Sequence, residues 1–201
     1  MNYFKNLLKE KSVDLNESIT VPKTCSLDLD VNSILEFAEK TRDQATKKWY
    51  HPRPFLDDYS NRQMVNANWV GYNEHNTQET NWGLDHNKEL NKLIGKDNLE
   101  RLGIDPNTVL VRLLEYRPGQ MLPLHSDGME GFKRMYGKEN PRRFFVAVSD
   151  WDWGHVFQAH DNMISHWKTG DTWEIKPDVW HCSANFGITN KYTFTITGVS
   201  K

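Results

Sequence analysis

The sequence predicts a mainly β protein that carries helices in its N-terminal part. Two observations carry this. The pattern of the chain changes near residue 105, from polar and helical to short apolar runs. Seven such runs then follow, separated by Gly, Asn and Asp turn signals, which suggests a β-sandwich or a small barrel. The length of 201 residues suits one domain, 1–201, with a mainly helical part over 1–104 packing on a β core over 105–201.

In the first part, Val31–Trp49 has apolar residues at Ile34, Leu35, Phe37 and Ala38, and Asn32 or Ser33 is placed to cap it. Residues 51–63 form a Pro-bearing connection, and 73–85 is polar and reads as a surface loop. Two short helices follow, ended by Gly95 and Gly103. The seven expected strands cover 108–116, 142–149, 155–159, 163–167, 171–175, 179–186 and 191–198.

Composition narrows the function classes. Hydrophobic residues make up 37% and aromatics 12%, enough for a core. The formal net charge is -2 with no long run of one sign, so nucleic acid is disfavoured as a partner. Two cysteines, Cys25 and Cys182, suggest a reducing compartment rather than a disulfide framework. The segment MNYFKNLLKEKSVDL has no apolar stretch long enough for a signal peptide or a membrane span. The expectation is a soluble cytoplasmic protein without a membrane partner. Its oligomeric state is left open.

The chemistry begins with "LPLHSDGMEGF". His125 and Asp127 are two apart, which at a strand end puts both side chains on one face. Two histidines and one carboxylate on one face of a metal make a non-haem Fe(II) site with positions left open. His181, in a later strand, supplies the second histidine if the chain folds back beside the first. Taken alone, the His-x-Asp triplet is weak, and the bland reading is a turn histidine and a strand histidine that only pack. Cys182 should point away from His181 along the strand, so it is not counted as a ligand.

The segment "EYRPGQMLPLHSD" together with "GDTWEIKPDVWHCSANFGITNKYTFTITG" resembles the Fe(II)- and 2-oxoglutarate-dependent oxygenases over roughly Val109 to Gly198. The resemblance implies a double-stranded β-helix core of the jelly-roll or cupin type. It implies His125, Asp127 and His181 as catalytic metal ligands, with Fe(II), 2-oxoglutarate and O2 as cofactor and cosubstrates. Family members have a basic residue about ten positions beyond the distal histidine, often with a hydroxyl residue two further on. Lys191 and Thr193 stand there, on one strand face. They would hold the far carboxylate of 2-oxoglutarate. "Tyr-Arg-Pro-Gly-Gln" is similar to a segment of prolyl 4-hydroxylases in which a tyrosine lines the cosubstrate pocket, which points to Tyr116. Arg112, on the same strand face, is a weaker candidate. "His-Cys-Ser-Ala-Asn" resembles a His-x-x-x-Asn pattern of the aspartyl/asparaginyl hydroxylase branch, which would make Asn185 a support behind the metal ligands, a cosubstrate contact, or only a residue that satisfies a turn. The branch is left open.

Asp127 argues for hydroxylation, or for an outcome that begins with it such as demethylation, because related halogenases have a small residue there. The expected substrate is a small molecule or a peptidyl side chain. The polar insert 127–143 is read as either a lid or a plain surface loop. Two alternatives stand beside this: a cupin-like metalloenzyme that does not use 2-oxoglutarate, and a metal-free jelly-roll binding module.

Overall fold

The structure is a computed structural model that describes residues 21–49, 76–127, 129–137, 141–177 and 179–201. The N-terminal stretch 1–20 and the expected connection 51–63 lie outside the described residues.

Its first part is more mixed than the sequence suggests. Strand β1 (Lys23–Ser26) precedes helix α1 (Val31–Lys40), and β2 (Thr46–Trp49) follows it. Helix α1 is capped by Asp30, whose carboxylate accepts from the Ser33 backbone N–H at 3.1 Å; neither Asn32 nor Ser33 is the cap. The helix also stops nine residues short of the expected end. After a short turn over Arg42–Gln44 the backbone of Thr46–Trp49 is claimed by β3 (Gln78–Trp82). Pairing with a neighbour overrides weak helical preference there. The stretch read as a polar surface loop over 73–85 therefore contains a strand, and its Glu79, Thr80, Asn81 and Trp82 are all buried.

Helices α2 (Asn87–Ile94) and α3 (Lys96–Arg101) match the expectation closely. Gly95 between them has φ +80, which a side chain rarely adopts.

The β core runs β4 (Leu110–Tyr116), β5 (Met121–His125), β6 (Arg142–Ala147), β7 (His155–Ala159), β8 (Asn162–Ile164), β9 (Asp171–Glu174), β10 (His181–Asn185) and β11 (Lys191–Gly198). Between β5 and β6 lies helix α4 (Glu130–Tyr136). The insert 127–143 is thus not a plain loop: Met129 and Phe132 are buried, and the Tyr136 hydroxyl donates to the Val109 carbonyl at 3.3 Å.

The strands form two antiparallel sheets, ordered β1-β9-β6-β11-β4-β3-β2 and β5-β10-β7-β8. From β4 onward the chain passes between the large and the small sheet: β4 large, β5 small, β6 large, β7 and β8 small, β9 large, β10 small, β11 large. That path is a double-stranded β-helix.

Alternation along β11 decides which side of the large sheet does what. Phe194 and Ile196 face outward into a core shared with Ile34 and Ala38 of α1 and with Leu90 and Ile94 of α2. Each such buried side chain contributes about 1.5–3 kcal/mol. The inner face meets the small sheet across a second core in which the rings of Phe145 and Phe157 stack at 3.8 Å. Lys191, Thr193 and Thr195 alternate with the outward residues and turn toward that interior.

Among the described residues no helix is long and apolar enough to cross a membrane.

Candidate metal centre and cavity

The three expected ligands come together. His125 ends β5 and His181 begins β10, and the two are direct partners in the antiparallel pair. Their rings lie 4.3 Å apart, centroid to centroid. Asp127 follows β5 immediately, with a carboxylate oxygen 3.5 Å from His181 Nε2. One ligand atom from each residue lies within 4.8 Å of the others. Ligands held at about 2.1 Å from a metal sit ~3 Å apart on one face, so small side-chain adjustments close the set.

The pairing of β5 with β10 is irregular between His181 and Ser183, where β5 accommodates one extra residue. Pro123 sits at this point, on an edge strand, where a missing N–H is tolerated. Its carbonyl accepts from His125 Nδ1 at 2.8 Å, and the Val179 carbonyl accepts from His181 Nδ1 at 2.9 Å. A carbonyl oxygen only accepts, so the proton of each neutral ring is on Nδ1. Nε2 is then left with its lone pair. Burial, reinforced by the charge of Arg143, pushes the His181 imidazole down to about 4. It is therefore neutral at pH 7 and able to ligate. The donor set of two neutral imidazoles and a carboxylate suits Fe(II) and related divalent ions.

Arg143 is a member of this site that sequence reasoning missed. It begins the inward face of β6, donates to the Asp127 carboxylate, and donates through Nε to the Thr197 hydroxyl at 3.1 Å. Alternation in RRFFVAVS puts Arg143 on the same face as Phe145 and Ala147, and that signal was sufficient to find it. Glu79 was also missed, because its strand was read as a loop.

Two adjoining cavities open from the trio. The mouth is lined by Glu79, Arg112, His125, Asp127, Arg143 and Thr195 among others. The inner cavity reaches Tyr116, Phe145, Phe157, Ser183 and Thr193. Leu114, Leu122, Arg143, His181 and Thr195 line both.

The remaining sequence candidates divide. Tyr116 is fully buried against the inner cavity, and its hydroxyl donates to Glu79 Oε2 at 2.6 Å. Thr193 lines the cavity with a buried hydroxyl that has no partner among the described residues. Lys191 is fully buried one layer behind the wall. Its ammonium donates to Ser183 Oγ at 2.6 Å and to the Val156 carbonyl, and lies 5.3 Å from the Tyr116 ring. No carboxylate pairs with it among the described residues, and burial pushes it down to about 7. Asn185 is buried at the end of β10. It lines neither cavity; its amide donates to the carbonyls of Tyr116 and Thr189, both at 2.7 Å, and accepts from Gly187 N–H at 2.9 Å. These bonds close the turn after β10, one of its expected roles. Cys182 lies outside the trio, as strand alternation requires.

Compared with known proteins by sequence, the chain matches no family model and no curated protein. Some solved structures show partial similarity to it. A cupin 2 conserved barrel domain protein from Rhodopseudomonas palustris is 9% identical, with a TM-score of 0.40 over 78% of this chain and 73% of that one. A predicted oxalate decarboxylase from Thermotoga maritima is 15% identical, with a TM-score of 0.37 over 61% of this chain and 81% of that one. A conserved protein with a double-stranded β-helix domain from Klebsiella pneumoniae is 16% identical, with a TM-score of 0.34 over 46% of this chain and 69% of that one. The fold assignment rests on the strand path of the chain itself.

Proposed function

We propose that this protein is a non-haem Fe(II)- and 2-oxoglutarate-dependent oxygenase that hydroxylates a small molecule or a peptidyl side chain. One observation carries the reading. The candidate trio lines a mouth that adjoins an inner cavity; behind the wall of that cavity lies the buried Lys191, with no carboxylate partner among the described residues, and on it the buried Thr193 hydroxyl, with no partner among them. An unpaired buried ammonium is costly, and a bound carboxylate offsets that cost. A cupin-like enzyme that does not use 2-oxoglutarate has no need of Lys191 and Thr193, and a metal-free module has no need of the trio.

The residues would act as follows. His125, Asp127 and His181 would hold the metal on one face, and the two Nδ1 hydrogen bonds fix the ring orientations beforehand. Arg143 orients the Asp127 carboxylate. Lys191, with Ser183 as its bridge to the cavity wall, and Thr193 would bind the distal carboxylate of 2-oxoglutarate. Tyr116, Phe145 and Phe157 exclude water from that end. Bound there, Fe(II) with 2-oxoglutarate and O2 would supply oxidation of an unactivated C–H bond, releasing succinate and carbon dioxide.

The test is anaerobic titration of the protein with Fe(II) and then 2-oxoglutarate, following the visible charge-transfer band of the chelate. A band in the wild type that His125→Ala abolishes and Lys191→Ala weakens is the expected result. Metal binding with no band overturns the oxygenase reading in favour of a cupin-like enzyme; no metal binding favours a binding module.

A further inference from the structure

The mouth above the trio contains a charge that cosubstrate binding leaves unused. Arg112 of β4 faces Thr195 of β11 in direct register, and both line the mouth with His125, Asp127 and His181. Among the described residues the side chains of Arg112 and Thr195 make no hydrogen bond, and Arg112 makes no ion pair. Other arginines on or against the same sheet are matched: Arg142 with Glu174 at 2.7 Å and Arg143 with Asp127 on β6, and Arg42, from the turn before β2, with Glu115 at 2.7 Å. A half-buried guanidinium without a partner, beside an idle hydroxyl, is a preformed fork for an oxyanion.

We infer that Arg112 and Thr195 bind the carboxylate of the substrate itself, and that the substrate is a small aliphatic carboxylic acid, free amino acids included. This rests on the oxygenase reading and narrows its substrate. Leu114 and Leu122 give the mouth an apolar floor for a short carbon chain beside the ligand trio. Glu79 and Asp127 line the same space, and their negative charge opposes a doubly charged phosphate more than a carboxylate. A residue within a polypeptide has no such carboxylate in its backbone. Register separates this anion from the cosubstrate: Lys191 pairs with Tyr116 and Thr195 with Arg112, four residues along both strands. At ~3.3 Å per residue these levels are about 13 Å apart.

The experiment uses the twenty free L-amino acids, each beside its carboxamide, as probes of the anaerobic protein loaded with Fe(II) and 2-oxoglutarate. Perturbation of the charge-transfer band reports arrival next to the metal. Calorimetry of the same probes on protein loaded with Fe(II) alone reports binding whether or not a band forms. At least one free acid should bind about tenfold or more tightly than its carboxamide. Arg112→Leu should remove that preference, Arg112→Lys should restore part of it, and 2-oxoglutarate affinity should stay within about twofold in both. Carboxamides that bind as well as the acids overturn the inference, as does a panel in which no acid binds. Weakened 2-oxoglutarate binding in Arg112→Leu reassigns the arginine to the cosubstrate and also overturns it. Absence of the band in wild type sinks the oxygenase reading, while the calorimetric acid-to-amide ratio still decides the role of Arg112.

Discussion

The ammonium of Lys191 donates to the hydroxyl of Ser183 at 2.6 Å, and Ser183 lies two residues from His181 on β10. One strand of the small sheet thus carries both a candidate metal ligand and the contact through which the buried cation reaches the cavity wall. Lys191→Met separates the two. The variant should retain Fe(II) binding but lose 2-oxoglutarate affinity by about 100-fold, the effect of one charge-assisted contact in a dry site. Its thermal midpoint should not fall below that of the wild type, because the buried charge is removed with most of its volume conserved. A midpoint lowered by several degrees would refute this.

If 2-oxoglutarate binds as proposed, the same lysine should make its binding depend on pH. Burial holds it down to about 7 without a counter-ion. A carboxylate beside it favours the charged form, so binding near pH 8 should take up a fraction of one proton. Affinity should decline as pH rises above 7. Calorimetry in buffers of different ionisation heat measures the uptake, and Lys191→Met should abolish it.

Glu115 offers a test of stability away from the site. It is fully buried on the outer face, bonded by Arg42 at 2.7 Å, by the Tyr192 hydroxyl at 2.7 Å and by Asn190 at 2.9 Å. Burial alone would raise its carboxyl, but the bonds from Arg42 and Tyr192 outweigh it and hold the group below the ordinary carboxylate value. A depressed carboxyl stabilises the fold above its unfolded pKa, and that contribution is lost as pH falls through the folded value. Glu115→Gln should cost about 2–4 kcal/mol at pH 7. The gap from wild type should shrink below pH 4, as measured by urea denaturation at each pH.

Asn185→Ala should destabilise the fold by about 2–4 kcal/mol, since three buried or half-buried hydrogen bonds to backbone groups are lost together. In the folded variant the affinity for 2-oxoglutarate should stay within about twofold. A large loss of affinity without a loss of stability would return Asn185 to the site.

How much of this was legible in sequence follows from the reach of each signal. Strand alternation puts His125 with Asp127 and Lys191 with Thr193 on shared faces, but choosing His181, Lys191 and Thr193 among the other residues of the β half depended on the family resemblance, not on spacing alone. Cys182 was excluded by the same rule. Strand β3 was not legible, because Gln-Glu-Thr-Asn-Trp has no apolar alternation. Its burial comes from pairing with β4 and β2 and from the Tyr116 hydrogen bond to Glu79, 37 residues away. Helix α1 was overextended for a related reason: Thr46–Trp49 pairs with a distant partner that the local sequence does not announce. Asn185 shares a motif with a hydroxylase branch, but its hydrogen bonds are spent on the turn it closes.

The two faces of β11 imply a division of mutational labour. Phe194 and Ile196 bear on the helices, whereas Thr193 and Thr195 line the cavity and its mouth, with Lys191 behind the wall through Ser183. In a deep mutational scan of this one strand, sensitivity should therefore alternate in kind from residue to residue. Polar replacements at the outward positions should reduce abundance. Replacements at Thr193 and Thr195 should leave abundance largely intact and alter which molecules are accepted. A strand wired this way lets the chemistry drift while the scaffold is held constant.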